Sequence, residues 1–262
     1  MYLQKIIDYK KQELAAQKRK VSLKDVRHKA ADAEPARDFL GGMKRGDFSI
    51  IAEIKKASPS AGVIRPDFDP LWIAQTYEEN GAAALSILTD EHFFQGKLEH
   101  LEMIRQHVTR PLLRKDFTLD EYHIHEARGA GADAILLIAG VLEKNQLTDY
   151  QDLAQELGMV ALVEVHDAPE MEKVASLKSR LPHLIGINNR DLKTFKVDLE
   201  TSLHLAPLAP KESILVSESG MKSRDDLKKL KDHGIHVFLI GELFMRSPNP
   251  GVRLKELLVP LL

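Results

Sequence analysis

Residues 49–60 read Ser49-Ile-Ile-Ala-Glu-Ile-Lys-Lys-Ala-Ser-Pro-Ser60. The run Ser49–Ile54 is apolar almost throughout, as a parallel strand covered on both faces requires. The residues directly after this run decide the fold. A doubly wound nucleotide-binding sheet places Gly-x-Gly-x-x-Gly after its first strand, where the backbone must approach a pyrophosphate closely. Here that place holds Lys55-Lys56-Ala57-Ser58-Pro59-Ser60, with two cations and no glycine.

The same kind of short, β-branched run recurs at Ala83–Leu88, Pro111–Arg114, Ala134–Ile138, Val160–Val163, Leu184–Ile187, Ile214–Val216 and Val237–Ile240. Amphipathic stretches lie between them, among them Trp72–Glu79, Leu119–Arg128, Asn145–Leu157 and Asp225–Lys231. Gly81, Gly131, Gly158 and Gly234 stand just before the next strand, where a left-handed residue ends a helix. The repeats share no side-chain signature, which argues against a solenoid. Strand and helix alternating eight times in 262 residues predict an α/β protein, a single (β/α)8 barrel of the TIM type, a fold that typically needs roughly 250 residues.

Residues 1–46 precede this rhythm and are expected to be an N-terminal helical extension of the one domain 1–262. Leu3, Ile6, Ile7, Lys10 and Leu14 fall at helical spacing, Ser22 or Asp25 is placed to cap a second helix, and Gly41, Gly42 and Gly46 punctuate the rest.

Composition narrows the function. Thirty-seven basic residues against 39 acidic ones, without long runs of one sign, give no electrostatic footprint for nucleic acid or a membrane surface. The absence of cysteine removes disulfides, thiolate metal sites and thiol nucleophiles. No apolar stretch approaches the ~18–20 residues of a membrane span, and the first residues lack the apolar core of a signal peptide. A soluble, cytoplasmic protein is expected, a monomer or weak homo-oligomer. His123 and His125 are two apart in a predicted helix and so on different faces, and no metal site is expected.

In such barrels the active site lies at the C-terminal ends of the strands. Those ends carry charge almost all the way round: Glu53 and Lys55, Thr89-Asp90-Glu91, Arg114-Lys115-Asp116, Glu164-Val165-His166, Asn188-Asn189-Arg190-Asp191, Ser217-Glu218-Ser219 and Gly241-Glu242. Half-buried Lys and Glu are costly unless paired or used. Plain structural readings stand beside this. Glu53 and Lys55 share a face by period two and suit an ion pair; Lys115 suits a rim network with Arg114 and Asp116; Asn188 and Arg190 suit a turn closure. Ser219-Gly220 after strand seven and Gly241-Glu242 after strand eight occupy the places where barrels commonly hold a phosphate, which points to a phosphorylated small-molecule substrate.

With these residues placed, the chain resembles the indole-3-glycerol-phosphate synthase family over essentially its whole length. The resemblance rests on Ile51–Ser60, Leu88-Thr-Asp-Glu91 with Phe94-Gln-Gly96, and Leu113-Arg-Lys-Asp-Phe117, then on Leu162-Val-Glu-Val-His166, Ile187-Asn-Asn-Arg-Asp-Leu192 and Ser217-Glu-Ser-Gly220. It implies a ring-closing decarboxylation of a carboxyphenylamino-deoxyribulose phosphate without cofactor or metal. By the same resemblance Lys115 is the general acid, Glu164 the base and Lys55 the clamp on the substrate carboxylate. Glu53 and Asn188 position hydroxyls and lysines, with Arg190 in support. Ser58, Pro59, Phe94 and Phe117 line the substrate, and Ser219, Gly220, Gly241 and Glu242 take the phosphate. On physical grounds, a general acid here suits a lysine whose pKa is lowered by neighbouring cations.

Two positions depart from the family pattern. Ala61 replaces a lysine common after Ser-Pro-Ser, in the loop after strand one, and Leu243 replaces a smaller residue. Two other readings compete: a Schiff-base, aldolase-like barrel using Lys115 or Lys55, and a non-catalytic metabolite-binding barrel.

Overall fold

The computed structural model describes residues 2–43, 47–177, 184–191 and 194–259. Gly46 and Leu192, both singled out in the sequence, lie outside them. Eight parallel strands close into a barrel: β1 (Ser49–Ile54), β2 (Ala84–Leu88), β3 (Leu112–Lys115), β4 (Ala134–Ile138), β5 (Val160–Val165), β6 (Leu184–Asn188), β7 (Ile214–Glu218) and β8 (Val237–Ile240). Closure is made by β8 on β1, with Ser49 beside Val237 and Ala52 beside Ile240. The predicted strand ends are one or two residues short at β3, β5, β6 and β7, where the polar residue that ends the ladder still belongs to it.

Although the strands read as unbroken apolar runs, their side chains divide by period two. Ile51, Leu113, Leu136, Leu162, Leu184, Val216 and Leu239 pack inside the barrel. Ile50, Leu112, Ile135, Val163, Ile185 and Phe238 pack between strands and helices. Each such side chain contributes roughly 1.5–3 kcal/mol when fully buried. Traced towards their C-terminal ends, the inward rows turn polar, as in Ile51-Glu53-Lys55, Leu113-Lys115, Leu162-Glu164, Leu184-Asn188 and Val216-Glu218.

Gly81, Gly131, Gly158 and Gly234 all adopt positive φ after their helices, as the sequence predicts. The segment after β1, expected as a loop, instead forms a short antiparallel hairpin in which Ala57–Ser58 pairs with Gly62–Val63, and Ala61 sits in its turn. Arg65, just beyond it, is buried and donates to the carbonyls of Met245 and Ser247, tying the hairpin to the end of the short helix that follows β8.

The extension consists of α1 (Tyr2–Lys20), α2 (Leu23–Ala31) and α3 (Phe39–Gly42). Ser22 caps α2 and Asp25 completes a capping box, so both residues named from the sequence take part. Phe39 and Met43 join the interior cluster at the N-terminal end of the barrel, and Ser49 donates its hydroxyl to the Met43 carbonyl there. The first helix lies at the opposite end. Its buried Lys10 forms ion pairs with Asp90 (3.2 Å) and Asp116 (2.9 Å) from the rims of β2 and β3.

Candidate active site

A cavity of about 750 Å³ opens at the C-terminal ends of the strands, within the ~300–1,000 Å³ usual for small-molecule sites. Glu53, Lys55, Ser58, Pro59, Phe94, Lys115, Phe117, Glu164, Asn188, Arg190, Ser219, Gly220, Gly241 and Glu242 all line it, so the structure brings together every site residue named from the sequence.

At the centre stands Lys115. Its Nζ donates to Glu164 Oε2 at 2.6 Å and to Glu218 Oε2 at 2.7 Å. The rim network considered for Lys115 belongs to its neighbours instead: Arg114 bonds to Glu126 and Asp116, and Asp116 to Thr89 and Lys10. The expectation of a lowered lysine pKa is overturned. Burial alone would push the ammonium down, but Glu164 and Glu218 outweigh it and the pKa rises well above the usual lysine value. The groups around Lys115 are carboxylates and not cations.

The two carboxylates are unequal. Burial would push Glu164 up, but Lys115 and His166 reverse this and hold it well below the usual range. Glu218 is pushed up to about 7 by burial and the charges of Glu164 and Glu53, against the pull of Lys115. Its Oε1 is buried without a hydrogen-bond partner. The sequence places Glu218 at a strand end without a role. The signal is its spacing from Val216 on the inward face of β7, the same relation that Glu164 bears to Leu162.

Around this triad the turn-closing and site readings of Asn188 both hold in geometry. It donates through Nδ2 to Glu164 Oε1 (3.1 Å) and accepts the Arg190 N–H (3.0 Å). Arg190 reaches Glu242 at 3.2 Å across the mouth. Lys55 forms its ion pair with Glu53, and both side chains face the cavity. Phe94 and Phe117 stand with ring centroids 6.3 Å apart and form an apolar wall.

At the β7 and β8 ends, Ser219 and Gly220 both have positive φ, at 66° and 91°. A serine held there is strained backbone, of the kind that clusters at ligand-binding turns. Buried Asn189 fixes it: its Nδ2 donates to the carbonyls of Glu218 and Ser219, both at 3.0 Å, while its Oδ1 accepts the Ser202 hydroxyl. The Glu242 carboxylate is engaged by Arg190 and Arg246, which leaves main-chain N–H groups for any anion. Tyr2, Leu3 and Ile6 of α1 also line the cavity. From the sequence they read only as helix-packing positions, since nothing local shows which surface the extension covers. Leu243 lines the cavity while packing against the outer core.

Among the described residues no group of His, Asp or Glu is arranged to hold a metal ion, and no helix is long and apolar enough to cross a membrane. A closed parallel barrel with one ammonium between two buried carboxylates, beside an apolar wall, is built as an enzyme of acid–base chemistry. A Schiff base on Lys115 is disfavoured, because the attacking lysine must be neutral and Lys115 is held charged.

The comparisons name the family. The family model for indole-3-glycerol phosphate synthase matches residues 3–257. The indole-3-glycerol phosphate synthase of Albidiferax ferrireducens is 48% identical over 259 residues, covering 97% of each chain. That of Neisseria meningitidis is 49% identical over 252 residues, covering 94% of this chain and 95% of its own. Among solved structures, 3-hexulose-6-phosphate synthase from Salmonella typhimurium superposes with TM-score 0.62 at 10% identity, over 80% of this chain and 96% of that one. A tryptophan synthase α-subunit from Pyrococcus furiosus does so with TM-score 0.59 at 14% identity, over 81% and 98%. These two likenesses speak for the fold alone. The chain belongs to the indole-3-glycerol phosphate synthase family, carboxy-lyases of tryptophan biosynthesis.

Proposed function

We propose that the site performs the decarboxylating ring closure of 1-(2-carboxyphenylamino)-1-deoxy-D-ribulose 5-phosphate to indole-3-glycerol phosphate, with Lys115 as general acid and Glu164 as base. The observation that carries the assignment is the Lys115 ammonium held 2.6 Å from Glu164 and 2.7 Å from Glu218 on the cavity floor.

The ring carbon bearing the carboxylate attacks the ketone carbon, and the carbonyl electron pair moves to oxygen, which takes a proton from Lys115. Lys115 keeps its proton until negative charge develops on the ketone oxygen, and the basicity of that developing alkoxide then draws the proton off. Carbon dioxide leaves and its bonding pair restores the aromatic ring. Because the ring receives those electrons, this step calls for no prosthetic group. The new hydroxyl then departs as water with a second proton, supplied by Lys115 or Lys55. Glu164 removes the proton from the neighbouring carbon and returns it to Lys115. Two protons are given and one is recovered, so each turnover takes up one proton from solvent.

Lys55, paired with Glu53, clamps the substrate carboxylate until it leaves. Glu53 and Asn188 orient hydroxyls, and Arg190 steadies the Asn188 turn. Ser58, Pro59, Phe94 and Phe117 hold the aromatic ring. Ser219, Gly220, Gly241 and the N–H of Glu242 receive the phosphate and fold the ribulose chain into reacting geometry. The chain acts as one domain, with 1–46 an integral part of it, as a cytoplasmic monomer or weak homo-oligomer on a phosphorylated small molecule.

The test is direct. Adding the carboxyphenylamino-deoxyribulose phosphate should produce indole fluorescence and the release of one carbon dioxide per indole formed. Lys115→Ala should lower kcat by about 10²–10⁴-fold, the scale of losing a general acid. Near-normal turnover in that variant would overturn the assignment.

A further inference from the structure

Behind Glu164, outside the cavity lining, lies a half-buried pair that the proposed chemistry does not use. His166, two residues along from Glu164, places Nε2 3.1 Å from Glu164 Oε1. On its other side Nδ1 lies 3.1 Å from Glu170 Oε2, and the same oxygen accepts the His166 backbone N–H at 2.9 Å. One carboxylate oxygen thus fixes both the ring and the main chain of this residue. Room for it is provided by Gly140, where a Cβ would stand 2.2 Å from Glu170 Oε1.

We propose that His166, anchored by Glu170, is a positioning residue that keeps Glu164 ionised while Lys115 is without its proton. The inference rests on the reading of Glu164 as the base. When Lys115 gives its proton to the substrate, Glu164 loses its nearest cation inside a water-poor site. Glu218 on β7 then faces it across the same site and adds only negative charge, and Asn188 on β6 offers a neutral donor. A buried carboxylate left in that state takes up a proton and ceases to be a base. His166 supplies the second cation, and because it does not line the cavity its charge does not change with the substrate.

The groups facing the imidazole support this. They are Glu164 on its own strand and Glu170 on the next helix (Ala168–Ala175), both acidic. Lys173 on that helix is engaged by the carbonyls of Ala139 and Leu142. Burial alone would lower the His166 pKa, but the two glutamates lift it to about 10. With Nε2 3.1 Å from Glu164 Oε1, the imidazolium favours the ionised carboxylate by its charge and its proximity.

The experiment is the pH dependence of kcat and KM for the wild type, His166→Asn, His166→Lys and Glu170→Gln. Removing the cation raises the pKa of Glu164, so the acid limb of kcat should move to higher pH. The expected displacement in His166→Asn is about one to three pH units, the scale of one close charge. KM should stay near its wild-type value and kcat should recover at high pH. His166→Lys, which keeps a charge, should restore much of the limb, and Glu170→Gln should move it part of the way. A uniform loss of kcat at every pH, or a change in KM alone, would overturn the proposal. Should His166→Asn fail to fold, Glu170→Gln carries the same test. Glu164→Gln run alongside separates the two readings. If it retains turnover, the base assignment itself fails; if it is inactive while the limb stays in place, only the role of His166 fails.

Discussion

A Cβ added to Gly241 would stand 2.3 Å from Glu53 Oε1 and 2.9 Å from Glu53 Cβ. The φ of Gly241 is −126°, outside the left-handed region, and the close approach of Glu53 is what calls for a residue without Cβ here. Gly186 stands in the same relation to Glu218, with a Cβ 2.0 Å from Oε1. Each of these carboxylates is seated against the bare backbone of a neighbouring strand end.

Gly241→Ala should therefore displace the Glu53–Lys55 pair and lower kcat/KM. Steady-state kinetics with the carboxyphenylamino substrate would show it as a loss of about 10-fold or more, the cost of a small misplacement of positioned groups. A variant with unchanged kinetics would mean that Glu53 has no positioning role.

Glu218→Gln should separate activity from stability. A carboxyl raised from 4.5 to about 7 on folding binds its proton more tightly in the folded state, so it costs stability as pH rises through that range. The glutamine variant should melt above the wild type at pH 8 and lose that advantage by pH 4, while kcat falls. Calorimetry at the two pH values decides it; a Tm lowered equally at both would count against the raised pKa.

Lys10→Met should loosen α1 from the barrel mouth. It leaves Asp90 and Asp116 buried without their shared cation, and breaking such a cluster typically costs about 3–5 kcal/mol. Asp116 is held well below the usual aspartate range, with burial opposing and Lys10 and Arg114 prevailing. Its stabilisation is thus present above the ordinary aspartate pKa and lost as pH falls below it. Urea unfolding would measure the loss, and a KM increase should accompany it because Tyr2, Leu3 and Ile6 line the cavity. A change under about 1 kcal/mol would show that the cluster is dispensable.

Asn189→Ala should free the Ser219-Gly220 turn. The expected signature is a higher KM for the phosphorylated substrate and weaker competitive inhibition by inorganic phosphate, with kcat less affected. If phosphate inhibition is unchanged, the turn is not the anion site.

The barrel is legible in the sequence because parallel strands buried on both faces must be apolar, and the runs from Ser49 to Ile240 carry that pattern without help from distant residues. The charged strand ends are legible as well, since Lys115 and Glu164 interrupt apolar runs at a place where burial is costly. Pairing is not. Arg114, Lys115 and Asp116 are three adjacent charges, and only the tertiary structure separates the lysine held by Glu164 and Glu218 from Asp116, which anchors α1 through Lys10, and from Arg114, which pairs with Glu126 and Asp116. The direction of the Lys115 pKa shift is hidden for the same reason, because Glu218 lies 103 positions away.

The sequence by itself determined the eight barrel strands, the cap of the second helix and the rim that bears the chemistry, for these come from periodicity and local residue type. Only the tertiary structure decided which carboxylate meets which cation, that the extension covers the mouth, and that Gly241, Gly186 and Gly140 make room for Glu53, Glu218 and Glu170. Barrel closure brings together side chains from strands far apart in the chain, and charge interactions depend on that distance in space.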